Sequence, residues 1–132
     1  MIPISRISDA IDAILSEKLP HIPFKQEVLG PTYPKELTAY ICCDTISYEK
    51  QNKGCEIGMA TYTIQIICPN PKGITNEIEG YAMDVCEVLR NEYTLDDWAM
   101  DSHVKKVIFA TPAGISTIGV AVITLEVEYY DE

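Results

Sequence analysis

The stretch 119-GVAVITLEVEYYDE-132 decides the fold. Successive side chains of an extended chain point to opposite faces, so Ile123, Leu125, Val127 and Tyr129 share one side while Thr124, Glu126 and Glu128 share the other. That alternation marks a sheet packed on one side and solvated on the other. Further back, Ile118, Val120 and Val122 make the second face apolar too. The early half of this strand is therefore expected to be covered on both sides, by a helix or by another subunit. The segment carries no recognisable chemistry of its own.

Working outward, residues 104–110 and 115–130 are expected to form a closing hairpin around TPAG, with Pro112 and Gly114 where a type I turn favours them. A second hairpin is expected upstream. Over residues 37–48, Leu37, Ala39, Ile41 and Cys43 fall on one face of a strand, with Thr38, Tyr40, Cys42 and Asp44 on the other. Residues 49–54, EKQNKG, are polar and end in glycine, so the chain should reverse there and return as a strand to Cys68. Gly58, Ala60, Tyr62, Ile64, Ile66 and Cys68 share one face of that strand.

Two helices are expected. Ile4, Ile7, Ile11, Ile14 and Leu15 recur at three- and four-residue steps, which predicts a helix over 5–18 with Ser5 or Ser8 as cap, Asp9 and Asp12 near its positive end, and Pro20 as its stop. After PNPKG, Asn76 and Glu79 are spaced like a capping box, and Ile78, Tyr81, Ala82, Val85, Val88 and Leu89 form one stripe of a helix reaching Tyr93. Residues 24–29 offer a short strand, GPTYP an extended loop, and residues 94–103 an acidic connector anchored by Trp98. The expected fold class is α+β: an antiparallel or mixed sheet of four to five strands in two hairpins, with two main helices packed on it. The order is α-β-β-β-α-β-β in a single domain over 1–132.

At 132 residues the chain is long enough to bury about two-thirds of its unfolded surface. Ten Lys and Arg against twenty Asp and Glu give a net charge of −10, which disfavours general attraction to nucleic acid or anionic lipid. The five cysteines, Cys42, Cys43, Cys55, Cys68 and Cys86, show no CxxC spacing and read as reduced thiols of a cytosolic protein. Asp9 and Asp12 stand where a signal peptide would keep its apolar region, and the apolar run 119–123 is far short of the roughly 20 residues of a membrane span. The expectation is a soluble protein not exported by a cleaved signal.

Candidate chemistry is sparse. A cysteine nucleophile needs a nearby histidine, and the sequence brings neither His21 nor His103 beside a given thiol. Adjacent Cys42 and Cys43 should point to opposite faces. Zinc could take Cys43, Cys55 and Cys68 from paired strands, but no pair has the short spacing of structural zinc sites. Asp96, Asp97 and Asp101 lack the glycine and distal glutamate of a calcium loop. Glu126 and Glu128 share a strand face, as solvated acids commonly do. No phosphate-cradling glycine loop and no GxSxG occurs. No catalytic, cofactor-binding or metal-binding residue is assigned, and the protein is expected to work through its surfaces rather than as an enzyme.

This element order, carried by SRISDAIDAILSEKLP, GPTYPKELTAYICCD, EIEGYAMDVCEVLRNEY and VKKVIFATPAGISTIGVAVITLEVEYYDE, resembles the tail terminator (tail completion) proteins of long-tailed bacteriophages, the lambda-type minor tail protein U group. The resemblance spans residues 5–130 and includes no invariant signature residue. It implies a virion tail protein, assembled in the bacterial cytoplasm, that forms a ring, usually of six subunits. Such a ring caps the tail tube, stops its polymerisation and offers the surface to which the head-completion or connector protein attaches. Its implied partners are copies of itself, the tail tube protein and the head-completion protein, with no specific nucleic-acid binding, no membrane and no cofactor.

Rings are built from heterologous contacts, one patch meeting a different patch on the next copy. The candidate contacts are Lys50, Asn52 and Lys53 in the first hairpin tip; Asp96, Asp97, Trp98 and Asp101 in the connector; and Ile115, Ile118, Val120 and Val122 in the doubly apolar strand start. An acid excess also suits a conduit for DNA, since negative walls give the strand nothing to bind. Two alternatives stand beside this: another head–tail joining, neck or minor capsid protein, and a small α+β ligand-binding or enzymatic domain suggested by the thiols and residues 96–101.

Overall fold

The computed structural model describes residues 4–52, 55–69, 76–110 and 118–131. Its elements are α1 (Ile4–Lys18), β1 (Phe24–Lys25), β2 (Thr38–Asn52), β3 (Cys55–Pro69), α2 (Asn76–Asn91), β4 (Asp101–Ala110) and β5 (Ile118–Asp131). The strands form one five-stranded mixed sheet in the order β1-β2-β3-β5-β4. Only the β1–β2 pair is parallel. This is the α+β class and element order expected.

Both helices pack on one face of the sheet, giving two layers around a single main core. From α1 come Ile7, Ala10, Ile11 and Leu15, and from α2 Ile78, Ala82, Val85, Cys86 and Leu89. The sheet answers with Ile41, Ala60, Tyr62, Ile64, Ile66, Ile123, Leu125, Val127 and Tyr129. Each fully buried large aliphatic side chain contributes about 1.5–3 kcal/mol relative to exposure. The central pair β3–β5 carries most of this face, with Tyr62 opposite Leu125 and Ile64 opposite Ile123.

The helix caps differ from expectation. Ser5 and Ser8 both lie within α1, and the Ser8 hydroxyl donates back to the Ile4 carbonyl at 3.2 Å, so Ser8 caps nothing. Asp9 and Asp12 fall outside the first turn, and each accepts from Gln26 Nε2 at 3.0 Å. These carboxylates fix the start of the loop after β1 rather than the helix end. The expected capping box rests on the Asn76 side chain, which lies outside what is described. The helix α2 closes at Asn91, and Glu92–Trp98 continue as turns.

Two strands are longer than expected. β2 continues through the polar residues 49–52, paired with β3 down to Asn52 opposite Cys55. β4 begins at Asp101, so Asp101 is a strand residue and not part of the connector. Residues 111–117, which include the expected TPAG turn, lie outside the described residues.

Each long hairpin also contains a β-bulge. In β2 the register slips at Asp44, between Cys43 opposite Tyr62 and Thr45 opposite Thr61. An extra residue reverses the inward parity of everything after it. Ala39, Ile41 and Cys43 face the helices before the bulge, and Ile46 does so after it. In β4 the slip falls at Lys105, so inward positions change from Ser102 and Val104 to Val107.

Candidate assembly surface

The sheet face away from the helices starts with a small second core. Tyr40, Ile67 and Val120 are buried there, with Leu29, Tyr33, Ile118 and Val122 packed around them. Its cover comes from the chain itself. A parallel β1–β2 connection needs a crossover of about a dozen residues, and the twelve residues 26–37 supply it, carrying Leu29 and Tyr33 across the outer face. The expectation that a helix or a second subunit covers this side is therefore corrected: a proline-rich loop does much of it. Ile118 and Val122 remain half-buried, and Val120 is buried.

Beyond that patch the outer face turns polar. Thr45, Thr61 and Glu126 lie side by side across three strands, and the Thr63 hydroxyl donates to Asp44. Glu126 meets His103 Nε2 at 3.1 Å and Lys105 Nζ at 3.8 Å. At the far end, an open groove of about 430 Å³ is lined by Ser47, Tyr48, Glu49, Ile57, Met59 and Glu128. Tyr48 is 52% exposed and Tyr130 45% exposed at this end.

The connector is a tight turn held by a buried plug. Leu95 is fully buried, and Leu95, Asp96 and Asp97 take φ of 49°, 59° and 65° in succession. Left-handed backbone costs a non-glycine residue about 1–2 kcal/mol, which burial of the Leu95 side chain offsets. Trp98 is half-buried against the core, with the Arg6 guanidinium 5.8 Å from its ring centroid. Asp96 and Asp97 are exposed beside it, and Asp96 joins Ala10, Ala13, Ile14, Glu17, Lys18 and Glu92 around a second open groove of about 290 Å³.

Trp98 packs with the main core on the helix side of the sheet and Ile118, Val120 and Val122 with the second core on the other side, so these two groups of candidate contact residues do not converge. Lys50 and Asn52 belong to β2, with side chains outside what is described, and Lys53 and Ile115 lie outside the described residues altogether. Asp101 uses its carboxylate to accept the Ser102 backbone N–H at 2.9 Å.

Among the described residues the groups with potential chemistry are also dispersed. Cys42 and Cys43 point to opposite faces, and Cys42 donates to the Glu27 carbonyl at 3.2 Å. Burial, then the neighbouring Asp44, pushes both thiols above their ordinary pKa. Burial raises Cys68 and Cys86 as well. His21 lies beside Tyr81, with ring centroids 6.1 Å apart, and His103 is engaged with Glu126. Among the described residues no cluster of three or more His, Cys, Asp or Glu is arranged to hold a metal, and no helix is long and apolar enough to cross a membrane.

Sequence reasoning missed the exposed apolar residues of β4, Ile108 at 48% and Phe109 at 43% exposure. Their signal was present in the run VIFA, once β4 is placed at a sheet edge. No family model matches the chain. No curated protein matches it either. One solved structure is 14% identical at a TM-score of 0.48, covering 94% of this chain and 97% of its own. Another, a chain of the virion of a native gene transfer agent particle, is 7% identical at a TM-score of 0.46, covering 92% of this chain and 84% of its own. Both likenesses are to the chain as a whole and too weak to bear on function.

Proposed function

We propose that this protein is a structural component of a phage or prophage virion, a tail terminator that assembles as a ring, ends tube growth and presents the head-attachment surface. One observation carries the reading: the chain folds in the order α-β-β-β-α-β-β around a single mixed sheet, the order on which the resemblance to tail terminators rests. Protein partners are the natural occupants of such a surface, because strand edges and hairpins recruit other chains. The dispersion of thiols, histidines and carboxylates favours work by contact over catalysis. With a net charge of −10 the surface also suits a passage that DNA crosses without binding.

A deletion in the resident phage tests this directly. The expected particles have overlong tails without heads. Tails of normal length beside unfilled or leaking heads would replace the reading with a head-closure role, and normal particles would remove the virion role.

A further inference from the structure

The sheet ends in two open edges that differ in sequence and charge. Among the described residues nothing pairs with the far side of β4, and β1 covers β2 only at Ala39 and Tyr40. The two edges are level with each other. Ser47, Met59, Glu128 and Asp101 share one rung of the sheet, and Ile41, Ile64, Ile123 and Val107 share another. Among the described residues, 41–47 of β2 and 101–107 of β4 are thus segments of equal length at equal height with no strand paired beside them, the crossover loop touching the first where Cys42 Sγ donates to the Glu27 carbonyl.

The bulges at Asp44 and Lys105 flank the same rung, and a further register shift in β2, between Lys50 and Asn52, lies apart from it. That rung is Cys43–Tyr62–Leu125–Val104, with Asp44 bulging after Cys43 at one edge and Lys105 after Val104 at the other. Asp44 is the sole formal charge in 41–47, whereas 101–107 carries Lys105, Lys106 and Asp101. Adjacent lysines are notable in a chain with twice as many acids as bases. All three bulge-region charges, Asp44, Lys105 and Lys106, are exposed.

A charged bulge is a common guard against edge-to-edge growth. Guarding alone needs no match of height or sign. We infer that the two edges are complementary docking surfaces for a second copy of this chain, the Lys105–Lys106 edge of β4 meeting the Asp44 edge of β2 on the next subunit. β4 runs antiparallel to β2 through the alternating β2–β3–β5–β4 pairings. Copies repeated about an axis along the strands therefore meet in antiparallel fashion, and the contact is head to tail, as a closed ring requires. The inference deepens the ring-forming reading, on which it rests for the identity of the partner.

The test uses the full chain, alone and with tail tube protein. A mixture of ¹⁵N-labelled and unlabelled protein is treated with a carbodiimide, which joins amines to carboxylates, and mixed-isotope peptides identify links between subunits. Links from Asp44 to Lys105 or Lys106 are expected. In parallel, K105E/K106E is expected to weaken self-association at least about tenfold, and adding D44K to restore it to within about threefold. If subunit links lie elsewhere, or if K105E/K106E assembles like the parent, the edge pairing is overturned while the ring reading stands. Absence of self-association under both conditions overturns both. Because the cross-link is read on the unsubstituted protein, a variant that fails to fold does not leave the question open.

Discussion

The ring of Tyr129 lies across Gly58, opposite it on the neighbouring strand. A β-carbon at position 58 would stand 2.6 Å from Tyr129 Cε1 and 2.8 Å from its hydroxyl oxygen. Glycine here makes room for an aromatic ring rather than bending the chain. Gly58→Ala is expected to destabilise the fold by about 1–3 kcal/mol, the cost of overpacking. Chemical denaturation measures it, and in a double-mutant cycle Tyr129→Leu should relieve much of the loss. Additive losses would show that the ring does not constrain position 58.

Tyr62 reports the seat of α1. Its hydroxyl lies 2.7 Å from Ser8 Oγ and donates to the Ile4 carbonyl at 3.4 Å, and burial pushes its pKa up to about 12. The unfolded chain ionises this phenol near its ordinary value of about 10. Its contribution is therefore complete below pH 10 and is lost as pH rises toward 12, at about 1.4 kcal/mol per pH unit. Denaturation at several alkaline pH values should show a shallower decline in Tyr62→Phe than in the parent. Equal slopes would place the phenol in solvent.

Three consecutive left-handed residues should respond in opposite directions. Asp97 is exposed at φ 65°, so Asp97→Gly is expected to stabilise by about 1 kcal/mol. Leu95 is fully buried, so Leu95→Gly should cost about 2–5 kcal/mol despite the same backbone relief. Thermal or chemical unfolding distinguishes the two.

The crossover loop should behave as a lid on the second core. Tyr33→Ala is expected to lower stability by about 1–2 kcal/mol and to raise binding of a hydrophobic dye, because Tyr40, Ile67 and Val120 lose cover. An unchanged dye signal would mean that the loop contributes little to that cover.

Raised thiol pKa values predict slow alkylation near neutral pH. Cys68 and Cys86 should stay unmodified in the folded protein, with Cys42 and Cys43 reacting slowly and faster above pH 9. Rapid labelling of Cys42 at pH 7, seen by peptide mass spectrometry, would contradict this.

Much of the architecture was legible because periodicity reports which face is buried. The alternation of Ile123, Leu125, Val127 and Tyr129 and the stripe Ile78, Ala82, Val85 and Leu89 translate directly into the observed core. The bulges were written in the sequence as a change of parity, from Ala39, Ile41 and Cys43 to Ile46, with a charged residue at the break. Such a break does not say which residue bulges unless the partner strand is known. The cover over Val120 was not legible, since Leu29 and Tyr33 sit in a loop with no period to say which way it crosses. The surfaces proposed for assembly depend on strand order, which puts β4 at one edge and leaves β2 unpaired beyond Tyr40 at the other, and local pattern does not encode that order.

The central claim is that this chain ends tube growth as a ring. Electron microscopy of tubes polymerised with and without the purified protein tests it most directly. Shortened tubes bearing one ring of density at a single end are predicted. Bare ends and an unchanged length distribution at saturating protein would contradict the claim.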